Sequence, residues 1–549
     1  MPKPKYSFLT ILSVTLIGIL ASLLNIFNIL FWAFQIPPKK IFLWVGHYFP
    51  DYLTYIQVMT QGARGSWLVD NFYTTDETTG IFLGWWPDLI LGKISRIFHI
   101  SQPFTYWLAV VVFSLILSLL IFYIITLVFP QKAVLVPISA FLLTLFSGPF
   151  FEYKSGQFFP YDYWYAPTIL FKRFGSIPRH ILDQILALLA FIFLVKTISD
   201  IRRLSFPQII LRAFLVALPI QIMLTFSLLS AVIAITFFVI GIYYLLFSFL
   251  RARELFVRFF IFFFTLALLI APVALLVKSQ AHQPGPLLRG AQWDLSMQAQ
   301  FTPAFLVLIV GPLLLLTPFG LIKYLKSLSP IRLLLAIFLC VSLVILYTPL
   351  GPFLGSASIR FFSPLNWIVF SVLAVVGIEF LSQFLKFKKT RLTVIFVTSL
   401  LLLYAVPSHI AFNQGRIKTD RESLHFFNYF PEELYQGFAY LDTHGTLPGA
   451  VLNRPEGSLG LVIPIFTKHK AYISPTLFTI GVDKKWTLTL QFYQRKMTPD
   501  EALNFLTQND IDYVIWTYWD GSADPPPSYE FLNPIFKNEA ITVYQLKTN

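Results

Sequence analysis

Eleven strongly apolar windows, each about 17 to 25 residues long, follow one another between residues 8 and 410, and a helix of that length crosses a hydrocarbon core of about 30 Å. They lie near 8–33, 105–129, 132–150, 181–199, 208–226, 228–250, 257–277, 303–322, 332–349, 362–384 and 392–410. No soluble core could hide them. With 56% apolar residues, 12% charged residues and 59 Phe in 549 positions, the expected fold class is a polytopic α-helical membrane protein with about 11 transmembrane helices.

The formal charge of +14 would suggest a nucleic-acid partner in a soluble chain, but its distribution gives another reason for it. Alternate connections carry Lys3 and Lys5, Lys132, Arg202 and Arg203, Arg251 and Arg253, Lys323 and Lys326, then Lys386, Lys388, Lys389 and Arg391. By the positive-inside rule these face the cytoplasm. The N-terminus is therefore expected inside, and 34–104, 151–180, 278–302, 350–361 and everything after 410 outside. No nucleic acid is implied. The first apolar stretch is too long for the h-region of a signal peptide and lacks an A-x-A site, so it reads as a retained anchor. Cys340, the one cysteine, excludes a disulfide or Cys-based metal site. No N-x-S/T sequon occurs, which favours a prokaryotic plasma membrane.

Two regions outside the spans have architecture of their own. In the first external loop, Tyr52, Tyr55, Ile56 and Met59 recur at helical spacing, and Gly62 and Gly65 end the pattern. The stretch 81–100, IFLGWWPDLILGKISRIFHI, offers Trp85 and Trp86 as interface anchors and Pro87 as a helix opener. Two interfacial helices joined by the polar VDNFYTTDETTG are the expectation. After residue 410 the pattern becomes that of a small soluble α/β domain. TPDEALNFLTQND reads as a helix capped by Thr498 with Pro499 in its first turn, and IDYVIWTYW and AITVYQLK read as strands. The division expected is thus 1–410, a membrane domain that includes loop 34–104, and 411–549, an external α/β domain. The run YVIWTYWDG is either sheet core or a sugar-stacking surface.

No Gly-rich phosphate loop, H-E-x-x-H or G-x-S-x-G is present, so nucleotide hydrolysis, zinc proteolysis and serine esterase chemistry lack their usual signatures. The span centres are nearly free of ionisable residues. The external edges collect Asp51, Glu152, Lys154, Asp162, Arg173, Arg179, His180, Asp183 and Arg360, whereas an ion-coupled transporter would carry charge near the midplane. Arg360, in GPFLGSASIRFFSP, is either a bidentate phosphate ligand or a side chain snorkelling to lipid headgroups. Arg173, Arg179 and His180, in FKRFGSIPRHILDQ, pose the same choice. Asp51 is either a reactive acid or the N-cap of the helix that follows it.

An acid soon after the first span (Asp51 in PDYLTY), an external loop with two membrane-lying helices, about eleven spans, Arg on later external loops and a C-terminal external α/β domain together resemble the GT-C superfamily of integral-membrane glycosyltransferases. That superfamily includes protein O-mannosyltransferases, aminoarabinose transferases and oligosaccharyltransferases. The resemblance implies that Asp51 is catalytic and that the donor is a sugar on a polyprenyl phosphate, its tail among the spans and its phosphate at the external interface. Asp51 as general base would deprotonate the acceptor hydroxyl as it attacks and inverts the anomeric carbon. Arg173, Arg179, His180 and Arg360 would bind the donor phosphate. Many members carry two adjacent acids; here Tyr52 follows Asp51, and Asp70, Asp76, Glu77 and Glu152 are the secondary candidates. Some members use a divalent metal, and no compact ligand set is evident in this sequence, so no cofactor is assigned. The acceptor is a glycan, lipid or protein, and membrane lipids complete the partners.

Two other functions fit the same composition. A lipid or polysaccharide flippase or transporter would need a polar path, for which Gln221 beside Pro219 is the best candidate. A non-catalytic membrane scaffold would use the external domain to hold a partner. The topology common to all three is testable: reporter fusions after Lys389 and after Asn413 should report opposite sides of the membrane, and same-side signals would overturn the external placement of Asp51.

Overall fold

The computed structural model describes residues 7–76, 83–130, 132–154, 156–163, 165–281, 286–387, 389–423, 425–445, 449–474, 477–520 and 525–547. Lys3, Lys5, Glu77 and Lys388 lie outside them. The chain divides into two compact units, one of residues 1–27, 107–282 and 291–415, the other of residues 28–106, 283–290 and 416–549.

The first unit is helical. Among the described residues of the chain, nine helices are long and apolar enough to cross a membrane, or ten if a bent pair counts as one span. Each of the eleven windows coincides with a helix or a helix pair, and two of them do so in an unexpected way. The third window forms only the 12-residue helix Leu135–Phe146, about 18 Å long at 1.5 Å per residue. The eighth breaks into Pro303–Val310 and Leu313–Leu325, which meet at 101°. The break falls at Gly311, whose φ of +67° is open to glycine, and a Cβ there would lie 2.3 Å from the Gly148 carbonyl oxygen. The fifth and sixth windows end and begin at Leu224 and Leu229, so TFSLLS is indeed a tight turn.

Contacts inside this unit sort the connections into two sets that agree with the charge pattern. Lys132 and Lys323 both reach Glu379, at 2.9 and 3.5 Å, and Arg332 donates to the Val128 carbonyl at 3.1 Å. Arg258 donates to the Ile201 carbonyl at 3.3 Å. In the other set, Asn25 donates to the Gly175 carbonyl at 2.8 Å, Phe150 N–H to the Leu308 carbonyl at 2.9 Å, and the Ser227 hydroxyl to Asp183 at 2.7 Å. Segments expected on one side of the membrane touch segments expected on the same side.

In the second unit the loop that follows the first apolar helix and the C-terminal segment fold together. The strand Lys40–Phe42 pairs antiparallel with Tyr429–Pro431. The Ala471 N–H donates to the Phe72 carbonyl at 2.8 Å, and the Thr479 hydroxyl to the Tyr73 carbonyl at 2.9 Å. Arg64 donates to the Thr467 carbonyl at 2.6 Å. The C-terminal segment itself is an α/β domain around a five-stranded sheet, ordered Lys470–Ala471, Ala450–Leu452, Ile511–Thr517, Ile541–Leu546, Leu532–Lys537. The first three strands run parallel and the last two pair antiparallel. Thr498 and Glu501 form a reciprocal capping box on the helix Pro499–Gln508. Tyr513, Val514, Ile515 and Trp516 are buried in the sheet, whereas Tyr518 and Trp519 beyond its end are exposed, so the aromatic run divides between core and surface.

The two loop helices, Phe49–Ala63 and Trp86–Phe98, do not simply lie side by side. A Cβ on Gly62 would stand 2.1 Å from the Leu89 carbonyl oxygen, and one on Gly92 would stand 1.9 Å from that of Met59. The backbones touch at a crossing that any side chain would force apart. Gly62 therefore lies inside the first helix, and Gly65, at φ +107°, follows its end. Trp85 packs on Val58, Val69 and Leu89 and lies 5.2 Å from the Phe478 ring, so it serves the protein interior and not a lipid interface. Gly92→Ala should lower the thermal unfolding midpoint of the purified protein, with a cost of about 1 to 3 kcal/mol typical of overpacking; an unchanged midpoint would mean that the crossing is looser than described.

Candidate active site

Asp51 sits in the first turn of the Phe49–Ala63 helix, after Pro50, and Tyr48 occupies the N-cap position. Capping was one of the two roles expected for Asp51, and the structure corrects it: Pro50 fixes the helical φ one residue earlier, so the helix starts before the acid. A carboxylate here still faces the positive end of the helix dipole, worth about 0.3 to 1 kcal/mol. Asp51 is exposed, while the next eleven residues, Tyr52 to Gly62, are all buried. Asp51 is thus the one exposed residue of a helix that is otherwise buried or half-buried.

Its neighbours hold the helix still. The Tyr52 hydroxyl donates to the Leu43 carbonyl at 2.9 Å, and the His47 Nε2 and the Tyr106 hydroxyl are 2.9 Å apart. The Tyr52 and Tyr106 rings meet edge to face at 5.2 Å. Phe49 stacks on Phe427 at 4.7 Å. Together with the glycine crossing, these contacts fix the backbone that carries Asp51, which is the preorganisation a general base needs.

The secondary acids are engaged differently. Asp76 accepts from Lys485 Nζ at 2.6 Å and from the Thr74 hydroxyl at 2.5 Å. Partial burial pushes its carboxyl up, but the hydrogen bonds from Lys485 and Thr74 outweigh it and hold Asp76 below the usual carboxylate range. Asp70 accepts the Asn71 N–H at 2.8 Å and faces Lys470 at 3.6 Å. Glu152, in a hairpin of the first unit, pairs with Lys154 at 2.6 Å. Glu77 lies outside the described residues. A further acid, Asp88, was not singled out in WWPD; it is fully buried in the first turn of the Trp86–Phe98 helix. Among the described residues no group of three or more His, Cys, Asp or Glu side chains gathers as a metal site.

Of the four basic candidates, Arg173 has a role that its sequence context did not reveal. It is 3% exposed, and its guanidinium donates to five backbone carbonyls: Pro167 at 3.0 Å, Thr144 at 2.9 Å, Leu145 at 3.2 Å, Ser147 at 2.7 Å and Thr168 at 2.9 Å. Thr144, Leu145 and Ser147 are at the C-terminal end of the short helix Leu135–Phe146, whose last carbonyls have no intrahelical partner. Arg173 closes that helix end, and Trp367 covers its guanidinium at 4.8 Å. Its N–H groups are spent on the backbone, so it is not placed to hold a phosphate. Arg179 and His180 are half-buried at the start of the helix Pro178–Asp200. Arg360 is half-buried in the 3-10 turn Ser358–Phe361, bonded to Asp294 and lying over the Tyr165 ring at 3.5 Å. Arg360 and Tyr165 thus bring together two segments that the sequence places on the same side of the membrane. Asp51 belongs to the other unit.

No family model matches the sequence, and no curated protein matches it either. Solved structures do resemble the fold. The archaeal oligosaccharyltransferase AglB from Archaeoglobus fulgidus, in complex with an inhibitory peptide and a dolichol-phosphate, aligns at 13% identity over 92% of this chain and 69% of its own, with a TM-score of 0.50. The arabinofuranosyltransferase AftD from Mycobacteria aligns at 11% identity over 99% of this chain and 40% of its own, with a TM-score of 0.55. ArnT from Cupriavidus metallidurans, bound to undecaprenyl phosphate, aligns at 12% identity over 97% of each chain, with a TM-score of 0.50. Identities this low establish the fold. The chain has the fold of the GT-C glycosyltransferases and is an integral membrane protein.

Arg173→Gln should lower the unfolding midpoint far more than Arg202→Gln, which alters an exposed loop. Each buried carbonyl left without a donor costs about 1 to 3 kcal/mol. Equal midpoints for the two variants would contradict the bracing role.

Proposed function

We propose that this protein transfers a sugar from a polyprenyl-phosphate-linked donor to an acceptor at the external face of a prokaryotic plasma membrane, with inversion at the anomeric carbon. The observation that carries the reading is an exposed acid, Asp51, on a rigidly held first-loop helix in a GT-C fold. Asp51 takes the proton from the acceptor hydroxyl while that oxygen attacks the anomeric carbon. The bond from that carbon to the phosphate oxygen breaks, and the polyprenyl phosphate leaves with the electron pair. Arg360, with Arg179 and His180, offsets the charge that develops on the leaving phosphate. Arg173 supports this apparatus from within the protein.

A lipid-linked donor is supported by the chemistry of the place: nucleotide sugars are confined to the cytoplasm. The dolichol-phosphate in AglB and the undecaprenyl phosphate in ArnT support the same choice. In this arrangement the N-terminus is cytoplasmic, residues 1–410 form the membrane domain, and 411–549 are external and act with loop 34–104 in presenting a glycan, lipid or protein acceptor. Divalent-metal dependence is left open by the residues themselves. The transporter reading loses support from its best residue, since the Gln221 amide donates to the Leu269 carbonyl of the neighbouring helix at 2.7 Å and is thus engaged with the backbone.

Asp51→Asn keeps the shape and removes the base, at a dipole cost of no more than about 1 kcal/mol. The variant should purify and melt like the parent, yet transfer from the lipid-linked donor should fall by about 10² to 10⁴, the usual contribution of a general base. Turnover at the parental rate would refute the assignment and leave Asp70, Asp76 or Glu77 to be tested.

A further inference from the structure

Asp294 was not among the acids considered above, and its surroundings set it apart from all of them. It lies in the last turn of the helix Pro286–Ser296 and is 5% exposed. One carboxylate oxygen, Oδ1, accepts both Nε and Nη2 of Arg360 at 2.7 Å. The other, Oδ2, accepts the Ser356 hydroxyl and the Ala357 N–H, the latter at 3.4 Å. Gln298, further along the same segment, accepts the Ser358 N–H at 2.7 Å. Asp294 and Gln298 thus grip the turn that carries Arg360 at three successive residues and also at the guanidinium itself. Tyr165 covers one face of that guanidinium at 3.5 Å.

A buried carboxylate with both oxygens occupied by four donors cannot act as a base, because a base needs a lone pair directed at its substrate. It can set an orientation. The Asp294 contact fixes the Nε–Nη2 edge, and the Tyr165 ring fixes the plane, so the guanidinium loses the rotamer freedom that an arginine would otherwise give up on binding. Resting on the donor-phosphate reading of Arg360, we infer that Asp294 is a positioning residue: with Tyr165 and Ser356 it preorganises Arg360 to receive the phosphate of the lipid-linked donor.

The test is a double-mutant cycle on the full-length protein in detergent, with farnesyl phosphate as the probe ligand and titration calorimetry as the readout. Arg360→Ala is expected to weaken binding about tenfold or more, a loss in line with one charge-assisted phosphate contact. Asp294→Asn should weaken it about fivefold in the parent and not at all in the Arg360→Ala background, because its effect passes through that guanidinium. Tyr165→Leu leaves the buried carboxylate intact and covers the case in which Asp294→Asn fails to fold. It should weaken binding about threefold, again only while Arg360 is present. In the transfer assay, Asp294→Asn should raise KM for the donor, and Asp294→Glu should recover part of the loss. Equal losses with and without Arg360 would overturn the positioning role, and so would no loss at all. If Arg360→Ala itself left affinity unchanged, the phosphate reading of Arg360 would fail and this inference with it, whereas the base role of Asp51 would still stand or fall by Asp51→Asn.

Discussion

Hydrocarbon does not tolerate unpaired polar groups, and this constraint decides where every reactive side chain of the chain can stand. The spans are long and apolar because their backbones must satisfy themselves. Where one helix stops short, at Phe146, the carbonyls left over demand a donor, and Arg173 is buried to supply it. Where another breaks, at Gly311, two helices are turned through 101° without leaving the fold. Charge is nearly excluded from the centres and collects at the ends, where Glu379 gathers two lysines and Asp294 holds Arg360.

Carboxylates in this protein do different work according to how many donors they meet. Asp294 meets four and is a support. Asp76 meets Lys485 and Thr74 and fastens the loop that carries it to the C-terminal segment. Asp51 is exposed in the first turn of a helix held by the Gly62 and Gly92 crossing and by tyrosines. A base has to combine a fixed backbone with an accessible lone pair. Asp51 is exposed on such a backbone, and this is why it remains the centre of the proposed mechanism after the other acids are placed.

Much of the architecture was legible in the sequence because its signals are local. Window length and basic loops locate the spans, TPDE marks a capped helix, and alternating β-branched and aromatic residues mark the strands at 511 and 541. What stayed hidden is non-local. Arg173 and Arg360 look alike in sequence, and only the carbonyls around the first and the carboxylate beside the second separate them. Asp294, a lone acid in QWDLS, has no motif to announce it. The stitching of loop 34–104 to the C-terminal segment runs largely through backbone groups, such as Ala471 to Phe72, which no side-chain pattern records. Gly62 read as the end of a helix because sequence spacing cannot distinguish a terminator from a crossing point.

The most direct test of lipid-linked sugar transfer driven by Asp51 is phosphorus NMR of the reaction itself. Purified protein would be reconstituted with the sugar-loaded polyprenyl phosphates and acceptors extracted from its native membrane. The parent should convert the phosphodiester resonance of the donor into the phosphomonoester of free polyprenyl phosphate, and Asp51→Asn should leave the phosphodiester intact over the same time. Conversion at equal rates by both proteins, or a phosphodiester that persists with the parent, would contradict the account.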